Sequence, residues 1–397
     1  MQNIYNINGL YAHEKITLLS LSIGTALLST NLYAANQVAD ARGNAMGNTG
    51  VASADYLVAP FYNPALATSF KENDDFAFLL PAIGASARDS DDTLTTIDDL
   101  QSSIEEFENS TTPSQGQVDE LNGYLDQLEN NKPLTVTAGL GFAIALPTKT
   151  VALNLYGRGY TEIIAAPDVA ANTGSTPIDV EQRYQNSNVD MVAFGYAEFG
   201  LAIAKEFTIA DEKVSFGVTP KYQQMTTYAQ HTTIEDFDID NYDETEITEN
   251  AFNIDLGAVW YKGNFRTALA IKDIIAQEID AEHHGLKDTY ELNTQATLGF
   301  AYAAEYFTAA FDADLTKQTR FTSLKDDTQF LRFGIEGNAW GWAQLRAGYE
   351  MDLEDTLENS ITAGIGISPF DVVSLDIAGS YAGENQFGAS GNLAFTF

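Results

Sequence analysis

The chain has 397 residues, no cysteine, and 56 acidic against 20 basic side chains, for a formal net charge of −36. Such a charge repels phosphate backbones and excludes nucleic-acid binding through clustered Lys and Arg; the lack of Cys excludes disulfides, thiolate metal sites and a cysteine nucleophile. With 45% hydrophobic and 11% aromatic residues this is not a disordered composition, and its four histidines leave little material for an imidazole metal site.

Residues 1–34 read as a secretory signal peptide. Lys15 closes a polar start, Ile16 to Leu28 is apolar, and Leu32-Tyr33-Ala34 ends in a small residue suited to signal peptidase. A short membrane anchor is the alternative, but the run falls short of the ~20 residues a spanning helix needs. Cleavage removes one Glu and one Lys, so the mature charge stays at −36. No later window approaches the ~18 uninterrupted apolar residues of a membrane helix, so any crossing must be made by strands.

Beyond residue 70 the pattern has period two, apolar residues alternating with small or polar ones. Val214, Phe216 and Val218 oppose Ser215, Gly217 and Thr219; Phe387, Ala389, Gly391, Leu393, Phe395 and Phe397 oppose Gln386, Ser390, Asn392 and Thr396. Fourteen such segments are predicted, centred near 80, 140, 157, 197, 218, 256, 269, 296, 311, 332, 347, 363, 377 and 391. Short joints near 147–150, 208–213, 262–264, 305, 337–341 and 368–370 alternate with long ones near 87–133, 163–188, 231–250, 273–289, 317–327 and 352–359. Only the final short joint, 383–385, breaks the rule. A soluble sandwich or secreted adhesin shares the period but does not require joints of alternating length. An all-β transmembrane antiparallel barrel of about 14 strands does, with tight turns on one side and large loops on the other.

Within the 87–133 connection, Leu94, Ile97, Leu100, Ile104 and Phe107, then Val118, Leu121, Leu125 and Leu128, recur at helical spacing. This predicts an acidic, helical extracellular insertion, expected to cap the barrel mouth. The presumed inward faces carry Lys221, Asp255, Arg266, Lys272, Asp312, Asp314, Arg332, Glu336, Arg346, Glu350 and Asp376. Charge facing lipid at mid-depth costs about 2–4 kcal/mol for Arg or Lys, which assigns these residues to the lumen. They form either a polar conduit or a lattice of ion pairs bracing a plugged barrel. The loop at 235–249 has Asp236, Asp238 and Asp240 at the opening spacing of a calcium loop, but lacks its Gly and its late Glu. It reads as a solvated acidic loop meeting the cation-bridged lipopolysaccharide layer, and no metal site is expected. His283-His284 reads as exposed decoration. There is no Ser nucleophile elbow, no metal-spaced His pair and no phosphate loop, so a non-enzyme without cofactor is expected.

Residues 40–70, DARGNAMGNTGVASADYLVAPFYNPALATSF, carry a further signal. The Arg42 to Gly47 run, the Gly50 to Asp55 run and the triplet Asn63-Pro64-Ala65 resemble the exported family called conjugative-transfer protein TraF, a barrel family close to the FadL-type outer-membrane transporters. The resemblance implies that residues 35–70 form an N-terminal hatch inside a barrel of residues 71–397, with Gly43, Gly47, Gly50, Asn63, Pro64 and Ala65 as its motif. Glycines permit tight turns and close approach there, and Pro64 pushes Asn63 toward extended backbone. A plain turn leading into the first strand is the other reading. The terminal Leu393, Phe395 and Phe397 resemble the signal read by the bacterial barrel-assembly machinery. The periplasmic, thioredoxin-like TraF of the F-type apparatus shares only the label, since nothing here alternates strand with helix and there is no Cys for a redox motif. The resemblance implies an outer-membrane location in a Gram-negative bacterium and passive uptake of small hydrophobic ligands. The alternative is a structural or docking component for conjugative transfer or protein export.

Overall fold

The computed structural model describes residues 39–239, 245–283, 285–324 and 327–397. The expected signal peptide, residues 35–38 of the hatch, His284, and Asp240, Asp243 and Glu244 of the acidic loop lie outside the described residues.

In chain order the strands are β1 (Ala77–Arg88), β2 (Leu134–Leu146), β3 (Ala152–Asp168), β4 (Asn188–Ile209), β5 (Glu212–Thr233), β6 (Ile247–Lys262), β7 (Phe265–Lys272), β8 (Gln277–His283), β9 (Leu286–Leu292), β10 (Gln295–Ala303), β11 (Phe307–Asp314), β12 (Phe330–Ala339), β13 (Ala343–Asp352), β14 (Ser360–Ile367), β15 (Val373–Gly383) and β16 (Gln386–Thr396). All but β8 and β9 form one closed antiparallel barrel of fourteen strands, as the alternation predicts; β8 and β9 pair separately. Closure is made by β1, which pairs with β2 on one side and with β16 on the other. Tight turns follow familiar chemistry: Ala210 and Asp211 both take positive φ between β4 and β5, the backbone of a two-residue type I′ hairpin.

The outward face is apolar and exposed along its membrane band, with Leu155, Phe199, Phe216, Leu256, Phe333, Ile365 and Ile377 among its members. Near the short turns it ends in aromatics, including the stacked pair Trp340 and Trp342 and the exposed Phe265, Tyr306 and Phe370. This is the aromatic girdle of an interfacial zone. Among the described residues no helix is long and apolar enough to cross a membrane.

Wall height is uneven. β4 and β5 each run 22 residues, whereas β7, β11 and β14 have 8. A spanning strand needs only about 9–11 residues, so the tall wall rises well past the membrane on the long-loop side. Three helices dress it: α3 (Thr93–Glu108), α4 (Gln115–Leu128) and α5 (Pro177–Gln185); the two shorter helices, α1 (Ala41–Ala45) and α2 (Ala59–Tyr62), belong to the hatch. Capping boxes at Ser114/Gln117 and Thr176/Asp179 start α4 and α5. The buried Asp89 accepts from the Thr93 and Leu94 N–H groups at the start of α3. Burial pushes its carboxyl above the usual range, against the pull of those bonds.

The helices do not cap the mouth. Their apolar stripes, Leu94 to Phe107 and Val118 to Leu128, form one buried cluster with Val136, Ile163, Met191 and Ala193. Those wall residues stand opposite one another on the outward face, since Val136 pairs with Ile163 and Ile163 with Ala193. The insertion therefore lies against the outside of the tall wall. On β2 and β3 the inner face at that height carries Thr135, Thr137 and Glu162, whereas the outer face offers Val136, Ile163 and Ala165 to the helix stripes. The mouth is closed instead by the β8–β9 hairpin, which the sequence left as plain loop. Its Ile279, Ala281, Tyr290 and Leu292 pack with Phe321 on the inward Phe194, Tyr196 and Met225, and Tyr290 stacks on Phe194 at 3.5 Å. His283 is part of this cap rather than idle decoration, because its Nδ1 accepts from the His231 N–H at 3.2 Å.

Closure and the external seat of the helices are both checked on detergent gels. Unboiled protein is expected to migrate differently from boiled protein, and identical migration contradicts a closed barrel. Leu121→Asp puts a charge in the helix–wall contact and is expected to expose 93–128 to protease while leaving heat-modifiable migration intact.

Candidate functional site

The lumen is filled at mid-height by residues 39–70. Here the chain makes α1 (Ala41–Ala45), α2 (Ala59–Tyr62) and a 3₁₀ turn at Pro64–Thr68. Asp40 caps α1, accepting from the Gly43 N–H at 2.9 Å and from Tyr62 Oη at 3.1 Å. Burial raises its carboxyl pKa against that bond. Asn63, fully buried in extended backbone, caps the 3₁₀ turn by accepting from the Ala65 N–H at 3.0 Å and donates to Val51 O at 3.0 Å. Pro64, at the first position of that turn, needs no N–H.

The hatch approaches the wall backbone to backbone. A Cβ at Gly348 would lie 2.1 Å from Gly47 N, one at Gly334 2.4 Å from Met46 O, and one at Gly217 2.4 Å from Ala65 N. Gly257, Gly299 and Gly364 similarly face Asn63, Val51 and Ala45. These wall glycines sit at inward positions of six strands, β5, β6, β10, β12, β13 and β14, and form a belt into which the hatch backbone fits. The motif glycines answer a different need: Gly47 takes φ +65°, and a Cβ at Gly43 or Gly50 would collide with the Tyr62 side chain.

Polar latches surround this seat. Arg42 grips Glu336 through two nitrogens at 2.9 and 3.0 Å and donates to Ser53 O at 2.7 Å. Glu336 is shared with Arg346 at 2.6 Å, and Arg346 reaches Asp376 at 2.5 Å. Asp312 accepts from the Gly50 and Val51 N–H groups at 2.7 and 3.0 Å. Glu350 accepts from Asn48 at 2.9 Å and pairs with Arg332, which also meets Asp314 at 2.8 Å. Lys272 donates to Phe61 O at 2.7 Å.

A second network is buried wholly in the wall. Lys221 Nζ stands 3.0, 2.7 and 2.7 Å from Glu198, Asp255 and Asp273. Glu198 also pairs with Arg158 at 3.0 Å and accepts from Tyr156 at 2.7 Å and Gln223 at 2.9 Å. The structure thus gathers every inward charge named from the sequence into the lumen wall, in two groups, except that Arg266 stands over the Tyr261 ring at 5.7 Å instead. Arg158, Glu198 and the Glu162–Arg320 pair went unread. The alternation of β3, with Asn154, Tyr156, Arg158, Tyr160 and Glu162 on one face, carried the signal for two of them. Asp273 begins a loop and gave none. Leu393, Phe395 and Phe397 lie on the closing strand and its end, where Phe395 stacks on Phe78 at 4.8 Å and the Phe397 N–H bonds Phe76 O.

Two cavities flank the hatch. One of about 120 Å³ lies above it, floored by Asn48, Val51, Phe61 and Tyr62 and reaching Arg320 and Tyr290 of the cap. The other, of about 440 Å³, opens at the short-turn end, with Asp55, Lys71, Arg266, Glu305 and Gln344 in its walls. Among the described residues no cluster of three His, Asp or Glu suited to a metal occurs.

The family described as "F plasmid transfer operon, TraF, protein" matches residues 60–314. No curated protein matches the chain in sequence. Among solved structures, the chain is similar to the TodX ΔS2S3 mutant monoaromatic hydrocarbon channel (11% identity over 90% of this chain and 97% of that one, TM-score 0.51). It is similar to the Ralstonia pickettii toluene transporter TbuX (12%, 89% and 97%, 0.51) and to a Pseudomonas aeruginosa FadL homologue (10%, 93% and 99%, 0.51). At these identities the likeness is one of fold, a closed antiparallel barrel.

Two substitutions test the lumen. Lys221→Met leaves three buried carboxylates around an apolar side chain and is expected to cost about 3–5 kcal/mol, read as a lower denaturation midpoint of the heat-modifiable band. Gly348→Val is expected to unseat the hatch with the barrel intact. Arg42, the sole basic residue of 39–70, then becomes a trypsin site that the unsubstituted protein protects.

Proposed function

This chain belongs to the TraF family matched over residues 60–314, and from that membership and the lumen described above we propose that it is an outer-membrane channel of a Gram-negative bacterium for passive uptake of small hydrophobic molecules. The observation that carries the reading is an interrupted conduit. One cavity lies on the long-loop side, another on the short-turn side, and a single folded segment separates them inside a closed wall. A wall built only for strength needs no separable plug. The hatch is held to the wall by ion pairs and hydrogen bonds as well as by a shared apolar core. The similar structures, a monoaromatic hydrocarbon channel and a toluene transporter, support the same class of solute. On this reading the protein is not an enzyme and uses no cofactor. Its outward band meets lipid and its acidic loops meet lipopolysaccharide, while Leu393, Phe395 and Phe397 present the C-terminal signal to the barrel-assembly machinery.

A second reading, a docking component for conjugative transfer or protein export, is favoured by one observation: the Lys221 network braces four strands and the start of the loop after β7 without touching a cavity that a solute would use. Uptake of labelled hydrocarbons and fatty acids by a deletion strain, with plasmid mating efficiency measured in parallel, separates the two. Reduced uptake with normal mating is expected; unchanged uptake with impaired mating overturns the channel.

A further inference from the structure

The outward face of the barrel is almost free of charge. Pairing register puts only Lys205 on β4, Glu212 at the start of β5 and Lys262 at the end of β6 at outward positions. Glu212 and Lys262 lie beside tight turns and face each other at 3.7 Å. Lys205 stands alone: it is exposed, and its ammonium has no acceptor among the described residues, since the neighbouring Glu206 goes to Lys213 at 3.0 Å. Ala204 pairs with Ala152, the first residue of β3, so Lys205 stands beside the 147–151 joint, at the short-turn edge of the membrane band. Its ammonium lies 5.4 Å from the ring centroid of Phe207, two residues nearer the β4–β5 turn. The stem therefore runs along the wall and the charge is turned toward the headgroup level, as in a snorkelling lysine.

A groove of about 620 Å³ opens on the same outer face, over β4 to β7, within the roughly 300–1,000 Å³ of ligand pockets. Lys205 is the one polar side chain in its lining; the rest is apolar. Phe207 and Phe216, with ring centroids 6.1 Å apart, stand beside the lysine. Ala258, a small outward residue between Leu256 and Trp260 on β6, gives the groove its depth, and the backbone of Gly217 and Gly257 is reached there. On the lumen side of those two glycines lie Ala65 and Asn63 of the hatch, so one layer of strand separates the groove from the hatch seat. A second copy docked on this face about a twofold axis would set one Lys205 toward the other, and like charges oppose such a contact.

We infer that this groove is a binding site for a single membrane phospholipid, with one acyl chain lying over Ala258 and the headgroup phosphate paired with Lys205. The phosphate supplies the anion that the wall withholds from the lysine, and the chain supplies the apolar filling. A phospholipid carries both, with its charge at the membrane surface and its tail below. The inference rests on the outward band meeting lipid and not on passage of a solute through the lumen. Because Gly217 and Gly257 border both the groove and the hatch seat, the bound chain backs the wall where Asn63, Pro64 and Ala65 lie.

The test is native mass spectrometry of the full mature chain released from detergent micelles, titrated with palmitoyl-oleoyl-phosphatidylglycerol or with palmitoyl-oleoyl-glycerol, which has the same chains and no phosphate. A first phosphatidylglycerol adduct, about fivefold tighter than any adduct of the diacylglycerol, is expected from one lysine at the membrane surface. Lys205→Met should bring phosphatidylglycerol down to the diacylglycerol level. Lys262→Met removes a lysine from the same end of the wall, one already paired with Glu212, and should leave the adduct unchanged. Ala258→Trp fills the groove and should abolish retention of both lipids. Each variant is compared only where it keeps heat-modifiable migration, so that lost binding is not lost folding. Equal retention of the two lipids, unchanged phosphatidylglycerol binding in Lys205→Met or Ala258→Trp, or an equal loss in Lys262→Met overturns the inference. Selective binding by a protein that takes up no solute sinks the channel reading and leaves the lipid site.

Discussion

The contact on which the lumen's organisation depends is the approach of hatch backbone to wall backbone. Met46-Gly47 lies against Gly334 and Gly348, and Pro64-Ala65 against Gly217, at separations that no side chain would permit. A barrel of fourteen strands is wider than the roughly eight-stranded kind whose interior side chains alone fill. Removing the side chains at one level makes room for a second layer of chain, and that layer divides the lumen into an upper chamber and a lower vestibule. The ion pairs are consequences of this arrangement. Arg42 can share Glu336 with Arg346, and Asp312 can receive two hatch amides, only because the belt lets the segment come so close. Backbone contact supplies shape, while the charged latches supply register, since each pairs one hatch position with one strand.

Uneven wall height has a similar logic. Strands of 22 residues cannot end at the membrane surface, and what projects has two faces that must be covered or polar. The outward face carries Val136, Ile163 and Met191 and takes the stripes of the three helices. The inward face carries Phe194, Tyr196 and Met225 and takes the hairpin. One projecting sheet thus organises both long-loop elements, and the cap over the mouth is made by the element whose residues match the inner face.

The barrel was legible because period-two alternation and joint length are local properties, written once in each strand. All fourteen strands lie where the alternation placed them. The inward charges were legible for the same reason, Lys221 lying on the same face as Ser215, Gly217 and Thr219. What stayed hidden depends on which surfaces meet. The leucine stripes of 93–128 announced helices but not the side of the wall they cover, because both faces of a projecting strand are possible partners and only the three-dimensional register of Val136, Ile163 and Ala193 decides. The β8–β9 hairpin is short and carries charges through Glu278, Asp280, Glu282, Lys287 and Asp288, so its alternation of Ile279, Ala281, Tyr290 and Leu292 was diluted. The glycine belt was visible residue by residue as small inward positions. Its meaning needed the six strands to be aligned at one height.

The distribution of charge completes the physical picture. A net charge of −36 suggests a lumen with a strong negative field, yet the lumen is where opposite charges are most closely matched. Lys221, Arg158 and Lys272 sit among Glu198, Asp255 and Asp273, and Arg332 and Arg346 among Asp314, Glu350, Glu336 and Asp376. Desolvation explains the matching, since an unpaired charge inside the wall costs several kcal/mol whereas one on a loop costs almost nothing. The surplus acid is therefore displaced outward. From Asp89 to Asn131, the insertion on the outer wall contains no Lys or Arg at all. On the channel reading proposed above, a solute nearing the mouth would meet a negative surface that repels anions, and inside it would meet balanced charge that exerts little net pull.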